Sequence, residues 1–193
     1  MVDVKEGEHY TVLPEPIPNL PPVTVFFSFL DKTSYKWTVS YRVVDAIRRA
    51  VPAGTEVSRY HVSFDPYGWG SGVTLTHAWA VALNLRYDDK VIVPLFDAIQ
   101  GDKAVSDLEG IRELFFKLGI DKVEFDRVWV KDSVKKEVEW QNEVCKKVGL
   151  DNIPAVVVGG KYLLNSSTEG KETGDEEDLG KQFAECVKGM LNL

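Results

Sequence analysis

The spacing of apolar and polar positions changes several times along this chain. The run Val23-Thr24-Val25-Phe26-Phe27-Ser28-Phe29-Leu30 is almost uninterrupted in apolar character, which predicts a strand buried on both faces. Before it, His9 to Leu13 alternates enough for a short edge strand, and Pro14 to Pro22 reads as a stiff connection whose prolines fix the backbone. After it, Trp37, Tyr41, Val44, Ile47 and Val51 recur at helical spacing, so one helix is expected from about Tyr35 to Val51, stopped by Pro52-Ala53-Gly54. Val57 to Phe64 returns to strand character. The order strand, helix, strand implies a parallel pair with a right-handed crossover.

From Asp65 the pattern changes. Pro66-Tyr67-Gly68-Trp69-Gly70-Ser71-Gly72 is a Gly-rich turn segment, and Leu75, Ala78, Trp79, Ala82 and Leu83 then form an amphipathic stripe. Further helices are expected at Asp88 to Gln100, Ser106 to Leu118 and Asp121 to Val130, with a longer one from Lys131 to Gly149. Strands resume at Ala155 to Val158 and Lys161 to Leu164, around a Gly159-Gly160 hairpin turn. A polar, acidic loop, Asn165 to Asp178, leads into a last helix ending near Met190. Because the early and late strands must share one sheet, the economical architecture is a small α/β domain with a helical block inserted into it.

Charge narrows the partners. With 23 basic against 30 acidic side chains the net charge is -7, which disfavours a nucleic-acid backbone as ligand. No apolar stretch approaches the ~20 residues of a membrane-spanning helix, and no secretory signal is visible, a picture that a removed signal peptide would also leave. The two cysteines are too few for a disulfide scaffold and too far apart for a local redox or metal motif. Cys145 falls on a stripe with Val134, Val138 and Val148, and Cys186 on one with Leu179, Phe183, Val187 and Met190, so both read as small buried hydrophobes. His9, His61 and His77 are scattered without cysteine neighbours and make no metal site; no cofactor is expected.

The candidate chemistry sits at Asp31-Lys32-Thr33-Ser34, where the Phe26-to-Phe29 strand feeds a helix. Free backbone N–H groups and the helix dipole favour negative charge at such a junction, which makes it an anion-binding and thiolate-activating position. Here no thiol is present. Asp31 suits the helix start as a cap, and its carboxylate is also a permanent anion at that point. Thr33 and Ser34 would need a base within reach to act as nucleophiles, and none lies nearby in the sequence. His61 is the nearest candidate, but within its strand it reads as a satisfied core histidine.

Phe26-Phe27-Ser28-Phe29, Tyr60-His61-Val62, Leu75-Thr76 with Ala78-Trp79-Ala80-Val81-Ala82, Asp89-Lys90-Val91 with Val93-Pro94-Leu95-Phe96, and Ile153-Pro154-Ala155 with Gly160-Lys161-Tyr162 together resemble the DsbA family of thiol:disulfide oxidoreductases. They follow the family's order and cover nearly all the chain. The resemblance implies an α/β, thioredoxin-like fold with an inserted all-helical domain: residues 1–64 and 140–193 would form the thioredoxin-like part and 65–139 the insertion. The departure lies at the chemistry, because Asp31, Lys32, Thr33 and Ser34 stand where the family carries Cys-Pro-His-Cys. Disulfide exchange requires a thiolate attacking sulfur, and neither carboxylate nor hydroxyl replaces it. Val25 likewise stands where the family often buries a Glu, while the basic residue of the next strand is kept as Arg59. With no thiolate to tune, a buried carboxylate offers only its desolvation cost.

The resemblance further implies a cis Pro154 and a peptide-pairing backbone at Ile153. The expectation is a redox-inactive relative that binds extended or unfolded polypeptide non-covalently, as chaperone, scaffold or assembly partner, in an oxidising periplasm. The alternative is a glutathione-dependent enzyme of the kappa transferase type using Ser34 or Thr33. Asp31 opposes it electrostatically, since like charges at ~4 Å repel by about 1 kcal/mol even in water. The cysteine-bearing helices of a thioredoxin-like arrangement lie on opposite sheet faces, which puts Cys145 and Cys186 beyond the reach of a disulfide.

Overall fold

The stretch from Val23 to Val51 departs most from its expected form. In the computed structural model, which describes residues 3–63, 71–101, 105, 107–165 and 176–193, strand β2 covers only Val23–Phe27. The expected continuation to Leu30 is instead a turn, in which the Leu30 N–H donates to Ser28 Oγ at 3.2 Å and the Asp31 N–H to Ser28 O at 3.1 Å. A local serine acceptor outcompetes the ladder there, a known effect of hydroxyl side chains. The helix then starts earlier than Tyr35, and it is two helices: α1 is Lys32–Val39 and α2 is Val43–Ala50. Lys36 O accepts from both the Ser40 and the Tyr41 N–H at 2.9 Å, and Arg42 follows in the left-handed region at φ 49°. A right-handed helix cannot pass through that conformation. Phe64, Pro66 to Gly70, Ser106 and the 166–175 part of the acidic loop lie outside the described residues.

The remaining elements are β1 (Tyr10–Val12), β3 (Val57–His61), α3 (Ser71–Leu85), α4 (Asp88–Gln100), α5 (Leu108–Lys117), α6 (Lys122–Trp129), α7 (Asp132–Val148), β4 (Ala155–Val158), β5 (Tyr162–Leu164) and α8 (Glu176–Met190). The five strands form one sheet in the order β1-β5-β4-β2-β3. β2 runs antiparallel to β4 with Val23 opposite Val158 and Phe26 opposite Ala155, and β4 and β5 form the expected hairpin. Sheet and helices thus give the α/β, thioredoxin-like fold that the resemblance implied.

The chain divides into two compact units. The first holds residues 1–27, 33–60 and 146–193, and so most of the sheet. Its core joins Val25, Ile47, Val156, Phe183 and Val187, and α2 lies along α8. Gly180 permits that approach, since a Cβ there would strike the backbone carbonyl of Tyr41. Trp37 of α1 packs on Phe183 with ring centroids 4.5 Å apart. At the sheet margin, beside β1, the Leu13 N–H donates to Lys161 O and the Ile17 N–H to Gly160 O, both at 2.8 Å. Gly160 has φ +65°, and Ile17 O occupies the space of its missing Cβ, so the position requires glycine twice over.

The second unit holds residues 28–32 and 61–145. Leu75, Trp79, Leu95, Phe96, Ile111, Phe115 and Phe125 are each fully buried in it. Phe29 belongs here, 4.8 Å from the Phe96 ring and 5.9 Å from that of Trp79. Burying such a ring contributes about 2 to 3 kcal/mol. The start of the candidate site is therefore anchored among helices.

Candidate functional site

The turn before α1 is built from Ser28, Phe29, Leu30 and Asp31, and polar side chains from distant parts of the chain hold its backbone. The Phe29 N–H donates to His61 Nε2 at 3.1 Å. Gln100, the last residue of α4, donates its amide to Phe29 O at 2.8 Å and to Asp31 O at 3.0 Å. One side chain thus ties two carbonyls of the same turn. A net ~1 kcal/mol per bond is typical, and a buried carbonyl left without its donor costs more.

His61 explains why the turn can be fixed from within. Its ring is fully buried and stacks on Phe29 at 5.1 Å. Because Nε2 accepts from Phe29, the ring proton of the neutral form sits on Nδ1, which lies 2.7 Å from Thr76 Oγ1, and Thr76 in turn donates to Gly72 O at 3.0 Å. Burial pushes the imidazole pKa down to about 3. The backbone N–H of His61 donates to Gln141 Oε1 at 2.9 Å, and Gln141 Nε2 donates to Glu137 at 2.8 Å. With both ring nitrogens engaged, His61 has no lone pair to offer a hydroxyl as base. The reading of it as a satisfied core histidine agrees with this geometry.

The tetrad is divided. Asp31 and Lys32 cluster with the helical unit, whereas Thr33 and Ser34 cluster with the sheet unit, as do Ile153 and Pro154. Asp31 immediately precedes α1 and is half-buried, Lys32 and Thr33 are exposed, and Ser34 is fully buried. A hydroxyl shut off from solvent is a poor partner for a soluble thiol, which weighs against Ser34 as a glutathione-binding group. Ile153 is half-buried, Pro154 is buried, and the peptide bond between them is cis.

The cysteines are free and half-buried, whereas their stripes predict small buried hydrophobes. Burial pushes the Cys145 thiol up to about 12, and burial together with Glu185 raises that of Cys186. Neither is a thiolate near neutral pH, and the thiolate is the nucleophile of exchange. Among the described residues no three His, Cys, Asp or Glu side chains come together as metal ligands. His77 Nε2 lies 2.7 Å from the Trp129 carbonyl at the end of α6, so it donates there and completes a helix end.

Sequence reasoning missed Gln100, Gln141 and Thr76. Gln141 carried a readable signal: it stands seven positions after Val134 and seven before Val148, on the apolar stripe of α7, where a buried amide must find partners. Gln100 carried none, because a polar residue at the end of a helix is unremarkable.

Residues 23–172 match the DSBA-like thioredoxin domain family. The chain is 35% identical over 184 residues to the thiol:disulfide interchange protein DsbA of Escherichia coli K12, covering 95% of this chain and 86% of that protein. It is 36% identical over 191 residues to the protein of the same name from Dickeya dadantii, covering 98% and 89%. Among solved structures it resembles the disulfide oxidoreductase DsbA of Proteus mirabilis, with TM-score 0.89, 30% identity, and coverage of 99% and 98%. It also superposes with TM-score 0.91, 30% identity and full coverage of both chains on a cysteine-to-serine variant of Proteus DsbA holding a non-covalently bound peptide.

Proposed function

The chain belongs to the DsbA-like thioredoxin-domain family, and from that premise we propose that it has left dithiol exchange and binds extended polypeptide non-covalently. The observation that carries the reading is Asp31-Lys32-Thr33-Ser34 at the start of α1, where no thiol stands. The two remaining cysteines cannot stand in for the lost pair, since burial holds both thiols in the protonated form at neutral pH.

The binding half of the proposal draws on the Proteus relative, which holds a peptide without a covalent bond. Asp31, Lys32 and Thr33 offer charge and hydroxyl groups at the α1 start, and the backbone at Ile153, before Pro154, offers hydrogen bonds to an extended chain. Without a mixed disulfide to prolong the complex, affinity rests on these groups alone, and micromolar or weaker binding follows. Folded substrates fit this poorly; unfolded or extended segments fit it well. The compartment that suits the reading is the periplasm, where a binder of unfolded chains would act as chaperone, scaffold or assembly partner.

The test pairs two measurements on one preparation. Insulin reduction and dithiol oxidation should run at the uncatalysed background rate, and catalysis above it would overturn the loss of exchange. Calorimetry with reduced, unfolded polypeptide should give a saturable isotherm. A flat trace together with no protection of that polypeptide from aggregation would defeat the binding half.

A further inference from the structure

The sheet unit carries a second feature, on the elbow between α1 and α2. A cleft of about 660 Å³ opens where that elbow meets α8, and among the described residues the cations Arg42, Arg49 and Lys181 line it with one anion, Glu185. The protein as a whole carries a net charge of -7, whereas the described charged residues of the cleft are three cations and one anion. From the cleft's charge, floor and size we infer that it is a binding site for a small organic anion, a phosphate or carboxylate attached to an apolar body.

Helix electrostatics alone do not place these cations. Arg49 in the last turn of α2 is where the dipole favours positive charge. Arg42 is the N-cap of the same helix, an end where a cation is disfavoured. Arg42 offsets its cost only partly, by pairing with Asp45 at 2.9 Å on the exposed side. It also gives α2 no side-chain cap, so the first-turn N–H groups of that helix receive none.

Donors are left over in the cleft as well. Among the described residues the Arg49 guanidinium makes no ion pair or hydrogen bond, and the hydroxyls of Ser40 and Tyr41 make none either. A guanidinium with a phenol and a hydroxyl beside it matches the acceptor oxygens of a phosphate or carboxylate. The floor is apolar: Ala46, Ala50 and Ala184 present methyl groups, and such a surface takes a hydrocarbon or aromatic body. The volume lies within the range of ordinary small-molecule pockets, of about 300 to 1,000 Å³.

The probes are phenyl phosphate and phenylacetate, titrated separately into isotopically labelled full-length protein while amide resonances are followed, with inorganic phosphate as the reference. Saturable shifts at Tyr41, Arg49, Lys181 and Ala184 with a Kd of about 1 mM are expected for at least one aromatic probe, and the tighter of the two identifies the head group. That probe should bind at least about threefold more tightly than inorganic phosphate, through the alanine floor. Arg49→Glu should weaken it by about tenfold or more. Arg48→Glu, the same charge reversal at a neighbour outside the cleft, should weaken it by less than about twofold. Both residues are exposed, so the expected cost of either reversal to folding is small. Equal weakening by the two reversals would reduce the effect to net charge and overturn the site, as would the absence of any saturable shift up to about 20 mM.

Discussion

The turn before α1 and the elbow between α1 and α2 are both short departures from regular backbone, and they are secured by opposite means. Three donor and acceptor side chains, His61, Gln100 and Ser28, secure the turn. Shape secures the elbow: α8 comes so close at Gly180 that the Tyr41 carbonyl fills the place of a side chain. Polar groups that must stay paired give the turn a single arrangement, at the risk that protonation or loss of one member undoes it. Close packing is indifferent to protons and sensitive to volume.

Acid is the most powerful way to separate the two. His61 is held neutral in the fold down to about pH 3, whereas in the unfolded chain it takes up a proton near its ordinary pKa of 6.5. Below 6.5 the unfolded state therefore binds the extra proton, and stability falls as pH drops until the folded form also titrates near 3. A shift of this size corresponds to a loss on the order of 5 kcal/mol across that window, and to none above it. Urea unfolding midpoints of the parent and of His61→Leu should diverge in slope between pH 6.5 and 3, with the flatter profile in the variant. Parallel profiles would mean that the histidine is not the acid-sensitive member.

Volume should act on the elbow in the complementary way. Gly180→Ala forces a methyl against the Tyr41 backbone, and overpacking of this kind costs about 1 to 3 kcal/mol, reduced by the ~1 kcal/mol that alanine returns as a helix former. The expected result is a net loss of up to about 2 kcal/mol in urea unfolding that does not change between pH 7 and 4. A gain in stability would show that α8 can shift away and that shape does not hold the elbow.

The finest test returns to the turn. Gln100→Leu keeps the bulk and removes the donor to Phe29 O and Asp31 O, and a loss of about 1 to 2 kcal/mol is expected. Hydrogen exchange should locate it: protection at the Phe29 and Asp31 N–H groups should fall relative to that at Ala46 and Ile47. Uniform loss across both regions would contradict the separation of turn from elbow.

These regions also mark what could be read from residue order. β4 at Ala155–Val158 and α4 at Asp88–Gln100 were legible to the residue, because Gly159-Gly160 bounds the first and a long apolar stripe defines the second. The break at Arg42 was not, since Trp37, Tyr41, Val44 and Ile47 keep helical spacing across it while the backbone turns left-handed at a residue without a glycine's signature. The true end of β2 was equally hidden, because Phe29 is as apolar as the strand before it and only its burial among helices shows a different allegiance. At the candidate site the missing thiols were plain in the letters. The hold that His61 and Gln100 exert on Phe29 was not, since it joins positions 32 and 71 residues apart.

The bonds from Leu13 to Lys161 and from Ile17 to Gly160 bear on a hazard that faces every sheet with a free margin. A sheet that ends in an open strand invites a second chain to continue it, and a protein meeting unfolded polypeptide meets such chains constantly. Here the margin at β1 gives way to a segment with prolines at 14, 16, 18, 21 and 22, residues with no N–H to donate to a newcomer. Its available bonds turn inward, to the β4–β5 hairpin. That margin is a selvedge: past the three residues of β1 it offers a recruited strand few donors.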